Sequence, residues 1–357
     1  MPLVVDLQRF QGEGTGGLGT SVDAHDAFLR SLSLRDLKKV SSLTPLAPIV
    51  QRHLHDRVES MWKAFHLPSS PSLGMLKDTG SIVSGSAALD LILPGLRTPR
   101  DLNLYCPEGA ASAVLSYLFS HKFILQGPPL VWNSMKEGRS NNCFNINNGV
   151  KSLHRLKHLE ESALITVVES VSLSPILPIL FFHTTFTMNY CDDKEITCLY
   201  PNLTACSVGL NNRSEDYDRL HKTEATQKWE QLGIELVWNC DSKHRHYSEN
   251  TTALPFAATG KCQRQIRTLD DAITLRMGFT EEKRISSDLK ITWSLGYTDW
   301  MTNKVEYVDT HVSITTPTTG TKYSTLRHHR RALDWKTHRE NDIESDGETS
   351  VARTSFP

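Results

Sequence analysis

The sequence predicts an α+β protein, and three features of its pattern support this class. Between residues 24 and 66, apolar side chains recur at the i, i+3, i+4 spacing of amphipathic helices. From residue 71 onward, short β-branched segments alternate with helical ones, as in a sheet with flanking helices. From residue 311 the apolar pattern ends and Thr, His, Arg and Glu dominate, which predicts a disordered tail.

These changes of pattern divide the chain into five segments. Two short helices cannot form a stable domain alone, so we expect the helical segment to pack on itself or on the core. The segments are a flexible Gly-rich arm (1–23), a helical segment (24–70), a core of strands and helices (71–190), a C-terminal α/β extension packed on that core (191–310) and the disordered tail (311–357).

Composition excludes several classes of function. Lys and Arg number 39 against 40 Asp and Glu, so no basic excess indicates a nucleic-acid partner, except through the short basic cluster at 327–331 in the tail. The seven cysteines form no CxxC pair, which argues against a zinc knuckle. No apolar run approaches the ~20 residues of a membrane span and no signal peptide is recognisable, so we expect no membrane partner and an intracellular, cytoplasmic or nuclear location.

The core is predicted to begin with a strand–turn–helix–strand unit. A glycine and a serine, Gly85 and Ser86, form the turn between the first strand and the helix. The predicted strands and helices are the strand 81–84, the helix 87–93, the strand 102–106, the helix 110–120 and the strand 164–168.

This unit would place phosphate-binding and cation-binding groups together. Gly85 allows the backbone to approach a phosphate closely, and Ser86 adds a hydroxyl donor. Side chains at i and i+2 of a strand point to the same side, so Asp101 and residue 103 should face one site. Two carboxylates there would hold magnesium against a nucleotide triphosphate. Asp101 could instead cap a turn or pair with Arg97 or Arg100 at the surface.

With these residues the chain resembles the nucleotidyltransferase-fold superfamily, and within it the nucleotidyltransferase-like proteins of mushroom-forming fungi. The resemblance covers roughly residues 78–270. The matching blocks are Ser84–Leu89, Asp101–Tyr105, Phe182–Asn189, Leu199–Thr204 and Cys262–Arg267.

The resemblance implies a mixed sheet with flanking helices, nucleotide binding at Gly85 and Ser86, and a catalytic, magnesium-binding Asp101. The chain departs from the superfamily pattern at the second acid, which is Asn103. An amide offers a neutral oxygen and no charge, so magnesium binding should be weak or absent. On the later strand, Thr166 lies inside and Glu169 at the end; Glu169 is either the third metal ligand or an exposed strand-end glutamate.

The sequence therefore predicts a nucleotidyltransferase-like pseudoenzyme with a degenerate metal site that binds a nucleotide or a protein partner. One alternative is an active magnesium-dependent transferase that uses Asp101 and Glu169. The other is an adaptor without enzymatic activity, because the leucine-rich helices between residues 24 and 66 are loosely similar to an F-box, which would bind a protein partner.

Overall fold

A computed structural model describes most of the chain between residues 27 and 324. The predicted arm at 1–23 and the basic cluster at 327–331 lie outside the described residues. The described ranges are 27–131, 149–212, 224–237, 266–281, 289–299, 306–308, 310–316 and 320–324.

The segment before the core is helical, as predicted. A helical turn at 27–31 precedes three helices, and Ser33 caps the first of them by accepting the Asp36 N–H. The helices are α1 (Leu34–Ser41), α2 (Ala47–Ala64) and α3 (Ser69–Thr79), with a 3₁₀ turn at Thr44–Leu46.

The core is a nine-stranded mixed sheet with helices inserted between its strands. Its strands are β1 (Ile82–Ser84), β2 (Asp101–Cys106), β3 (Phe123–Leu125), β4 (Leu130–Val131), β5 (Val150–His158), β6 (Leu164–Ser170), β7 (Asn189–Cys191), β8 (Glu195–Cys198) and β12 (Leu275–Gly278). Its helices are α4 (Ser86–Ile92), α5 (Ala111–Ser120), α6 (Leu177–Leu180) and α7 (Pro201–Ala205), with a 3₁₀ turn at Thr185–Thr187.

The strand order is β12-β8-β7-β1-β2-β6-β5-β3, with β4 paired to β5. Strands β2 and β6 run parallel, whereas β1 is antiparallel to both β2 and β7. The predicted α+β class with a mixed sheet is therefore confirmed. No helix in the described part of the chain is long and apolar enough to cross a membrane.

Alternate residues of β2 belong to two different cores. Leu102 and Leu104 point to one face, where they join the cluster formed by α1 to α3 and α5. Tyr105 points to the other face, where it joins the cluster that contains α6, α7 and the C-terminal strands. Both faces of the sheet are thus covered, and the side chains at 101 and 103 share the Tyr105 face by strand alternation.

The C-terminal extension adds a helix and further strands beyond the main sheet. One pair, β9 and β10, follows α7 and flanks the helix α8. The bounds are β9 (Val208–Leu210), α8 (Glu224–Gln231), β10 (Glu235–Val237), β11 (Arg267–Thr268), β13 (Lys290–Ser294), β14 (Tyr297–Asp299), β15 (Glu306–Val308), β16 (His311–Thr315) and β17 (Gly320–Ser324).

The predicted tail boundary at residue 311 is wrong. Strands β16 and β17 pair with each other, and β16 also pairs with β13 in a four-stranded sheet. Val312 and Ile314 alternate with polar residues and are buried. The segment was misjudged because its polar composition hides a period of two, and because threonine is β-branched and favours strands.

The N-terminal helices pack directly on the core, so they cover one face of the sheet. Leu37, Leu54 and Trp62 are fully buried in the same cluster as Leu102 and Leu104. An F-box-like docking role for this segment stays a prediction.

A single guanidinium joins the N-terminal helices to α4. Arg57 donates to the carbonyl oxygens of Leu29 (2.7 Å), Leu32 (2.8 Å) and Leu91 (3.1 Å), and to His53 Nε2 (2.9 Å). Burial lowers the pKa of Arg57 to about 10, against an opposing effect of Asp90. The residue stays cationic at neutral pH and satisfies carbonyls at two helix ends.

We expect Arg57→Met to lower the free energy of unfolding by about 3 kcal/mol. The change keeps the aliphatic stem but leaves the three carbonyls without their donor. Hydrogen bonds from charged groups contribute ~1.5–3 kcal/mol each, and part of this sum is offset because the variant no longer buries a charged guanidinium. Urea unfolding of both proteins measures the difference. Arg52→Met, at an exposed position of the same helix, is the matched control. Equal effects of the two changes would contradict the account.

Candidate functional site

The two predicted site residues on β2 point to the same side of the sheet and are in contact. Asp101 and Asn103 are both half-buried, and their side chains lie at a solvent-accessible end of β2. The Asn103 amide donates to the Asp101 carboxylate, with 3.1 Å between Nδ2 and Oδ2. The prediction that residues 101 and 103 share one site is confirmed.

The direction of this hydrogen bond follows from the charges involved. A carboxylate is an acceptor only, so Asn103 must present its N–H and not its carbonyl oxygen. Asn103 therefore lies beside Asp101 as a donor and provides no second anionic oxygen there. Asp101 obtains from a neutral amide a contact that a cation would otherwise provide.

Both the backbone conformation at residue 85 and the contact with Asn103 require a glycine at this position. Its φ of +75° is one that L side chains rarely adopt. A Cβ at this position would lie 2.9 Å from Asn103 Nδ2, closer than such atoms normally approach. The Asn103 amide thus occupies the space where a Cβ of residue 85 would lie. This contact with a side chain of the protein is one reason why residue 85 must be glycine.

The serines on either side of Gly85 have different environments. Ser84 is fully buried and donates to the carbonyl of Asn189, 2.6 Å away, which ties β1 to β7. Ser86 is half-buried at the first position of α4, next to Gly85. Of the two, Ser86 keeps its hydroxyl accessible to a ligand.

No acidic side chain lies beside Asn103 on the neighbouring strand. The register of β2 and β6 pairs Asn103 with Thr166, and the register of β5 and β6 pairs Thr166 with Arg155. With Ser84, which pairs with Asn103 on β1, these residues form a row across four strands. The row runs from a serine through an amide and a hydroxyl to a cation, and contains no carboxylate.

The structure does not bring Glu169 to this site, which corrects the prediction that it is a third ligand. Glu169 pairs with Cys106, five residues along β2 from Asp101, or about 16 Å at the usual rise. It also points to the opposite face, since it alternates with Val168 of the Tyr105 side. The alternative of an exposed glutamate is equally wrong, because the residue is only 8% exposed.

Glu169 instead stabilises the turn between β2 and α5. It accepts the Gly109 N–H at 2.8 Å and the Ser152 hydroxyl at 2.8 Å, and pairs with Lys151 at 3.3 Å. Burial raises the pKa of Glu169, but these three donors together hold it below its ordinary value of 4.5. All of these contacts are structural in character.

Lys228 has Arg97, Asp101 and Arg100 as electrostatic neighbours, and sequence reasoning missed this lysine. Arg97 and Arg100 belong to the loop before β2, and Lys228 comes from α8. Burial and the nearby Arg97 and Arg100 hold the pKa of Lys228 below its ordinary value, while Asp101 opposes them. No ion pair within 4.0 Å joins Asp101 to either arginine in the described part of the chain, so the surface pairing considered as an alternative is not formed.

A small apolar cluster positions Lys228. Its neighbour Trp229 is buried against Leu89 of α4, Phe186 and Ile234, and its ring lies 5.6 Å from that of Phe186. The Lys228 ammonium lies 4.8 Å from the centre of the Trp229 ring. No local sequence pattern predicts that residues 228 and 101 lie near each other, because their proximity depends on the tertiary packing of Trp229.

The donor set does not match what magnesium prefers. Asp101 supplies one carboxylate, Asn103 turns an N–H toward it, and Thr166 supplies a neutral hydroxyl. Magnesium requires near-ideal octahedral geometry from hard, usually anionic oxygens. Elsewhere, His55, Asp56 and Glu59 have potential ligand atoms within 4.8 Å of one another, but all three are exposed on α2, where such groups are common without an ion.

Comparison with protein-family models, with curated proteins and with solved structures finds no match for this chain.

We expect Gly85→Ala to cost less stability in an Asn103→Ala background than in the unchanged protein. In the unchanged protein the new Cβ meets Asn103 Nδ2, and the positive φ adds a strain of about 1–3 kcal/mol. In the Asn103→Ala background only the strain remains. A double-mutant cycle by urea unfolding measures the difference, which we expect to be about 1 kcal/mol. Strict additivity would show that Asn103 does not pack on Gly85.

Proposed function

We propose that this chain is a nucleotidyltransferase-like protein that binds a nucleotide and does not catalyse metal-dependent transfer. One observation carries the proposal: the Asn103 amide donates to Asp101 where a second carboxylate would be needed. The nucleotide would lie at Asp101, Asn103 and Ser86, on the accessible end of the β2 face.

The chemistry of phosphoryl and nucleotidyl transfer explains why this change matters. Such reactions depend on metal ions that neutralise charge as it develops on the transferred group. Asp101 is the one carboxylate beside Asn103 among the described residues, because the row through Asn103 and Thr166 contains none and Glu169 is too far away to compensate. Removing anionic ligands should weaken the metal site far more than it weakens hydrogen bonding to a nucleotide.

The other polar side chains near Asp101 support the binding of a small polar ligand at this site. Asp101, Asn103, Thr166 and Ser86 are all half-buried, so they are accessible without being fully solvated. Each can donate or accept a hydrogen bond. A half-buried group of polar side chains at one end of a sheet is a typical place for a small polar ligand.

We expect Asn103→Asp to create a magnesium-dependent stability that the unchanged protein lacks. Two carboxylates about 3 Å apart repel each other, which should cost about 1–2 kcal/mol after solvent screening. Magnesium would relieve the repulsion, so the melting temperature of the variant should fall in EDTA and recover in millimolar MgCl₂. Differential scanning fluorimetry in both buffers measures the shift.

The control is Ala113→Asp, which adds the same charge at an exposed position of α5. It should show no recovery in magnesium. An equal magnesium shift in the unchanged protein would contradict the proposal. So would magnesium-dependent transfer from any of the four nucleotides that disappears in Asp101→Ala, a result that would favour the active transferase.

A further inference from the structure

We propose that His154 is an acid-sensitive switch, which supports the junction of β5, β6 and the turn before α5 only while its ring is neutral. At neutral pH the ring lies against Ser152, and on protonation it turns toward solvent. The switch lies on the face of the sheet opposite to Asp101, because His154 pairs with Val167 of the other core cluster. The inference is therefore independent of the proposed nucleotide site.

A hydrogen-bonded network of side chains connects the ring of His154 to that turn. The ring nitrogen Nε2 of His154 lies 3.1 Å from Ser152 Oγ, which lies 2.8 Å from Glu169 Oε2. Glu169 also accepts the Gly109 N–H at 2.8 Å and pairs with Lys151 at 3.3 Å. A change at the ring can thus alter a contact that holds the backbone of the turn.

The order of donors and acceptors in this network determines which ring nitrogen of His154 carries the hydrogen. The pKa of Glu169 lies below its ordinary value of 4.5, so at neutral pH this carboxylate can only accept. Ser152 has a single hydroxyl hydrogen, which it donates to Glu169. It must then accept from His154 Nε2, so the neutral ring carries its hydrogen on Nε2 and a lone pair on Nδ1.

Protonation of His154 would place the second hydrogen on Nδ1, where it has no acceptor. This nitrogen is shielded from solvent and has no hydrogen-bond partner among the residues that the structure describes. A buried N–H without an acceptor is unfavourable. The side chain as a whole is only half-buried, so the protonated ring can reach water by giving up its contact with Ser152.

The charged groups near His154 do not reverse this preference. Glu169 attracts a protonated ring, but burial has the larger effect and holds the pKa of His154 below its ordinary value of 6.5. The other charges of the network, Lys151 and Glu108, form an ion pair at 3.2 Å. The flanking elements β4 and α5 contain no charged residue.

The network differs from the serine–histidine–carboxylate arrangement of hydrolases. In those enzymes the histidine lies between the other two groups and takes the serine proton. Here Ser152 lies in the middle, donates to Glu169 and is only 6% exposed. The geometry therefore favours a response to pH over nucleophilic catalysis.

Thermal unfolding of the full chain at pH 7.5 and pH 5.0 tests the inference. The unfolded chain binds a proton at His154 more readily than the folded chain, so stability is complete above pH 6.5 and decreases as the pH falls. The variant His154→Gln keeps a donor near the position of Nε2 and cannot be protonated. Between the two pH values, the melting temperature of the unchanged protein should fall by about 2 °C more than that of the variant.

The matched control is His55→Gln, at an exposed position of α2, which should keep the full fall of the unchanged protein. A titration of the His154 Cε1–H by NMR in the unchanged protein should have its midpoint below pH 6.5, and it decides the question if His154→Gln does not fold. A midpoint at or above pH 6.5 would overturn the inference. So would equal falls in melting temperature for the unchanged protein and His154→Gln.

Discussion

The contact between Asn103 and Asp101 is the interaction on which the rest of the site depends. One N–H, 3.1 Å from the carboxylate, determines how three residues are arranged. It satisfies Asp101, it places the amide against Gly85, and it removes the anionic oxygen that a divalent ion would need. A single neutral side chain thus links the backbone conformation at residue 85 to the chemistry available at residue 101.

The electrostatic surroundings of the site include a lysine that comes from a distant part of the chain. Burial and the nearby Arg97 and Arg100 lower the pKa of Lys228, whereas Asp101 opposes them. The neighbouring Trp229 is buried with Leu89 and Phe186, and this packing holds α8 against α4. The position of Lys228 therefore depends on tertiary packing.

Several parts of the fold and site could be predicted from the sequence, because their causes are local. Apolar spacing predicts the helices, the cap at Ser33 follows from residue type, and strand alternation places the side chains at 101 and 103 together.

Other parts depend on tertiary packing and could not be predicted. Glu169 lies in β6, which is parallel to β2, but the residue that it faces on β2 depends on a register that no local pattern reveals. Lys228 lies 127 residues after Asp101 and reaches it because Trp229 fills an apolar pocket beside α4. Strand β16 escaped prediction because Val312 and Ile314 are few among polar neighbours, although their alternation was present.

Crystals of the unchanged protein and of Asn103→Asp, each soaked in manganese, would test the central claim most directly. Manganese occupies magnesium sites and gives an anomalous signal that locates it without assumptions about the ligand. The account predicts no manganese at Asp101 in the unchanged protein and a manganese ion between residues 101 and 103 in the variant. A manganese ion bound to Asp101 in the unchanged protein, with the Asn103 side chain turned to offer its oxygen, would contradict it.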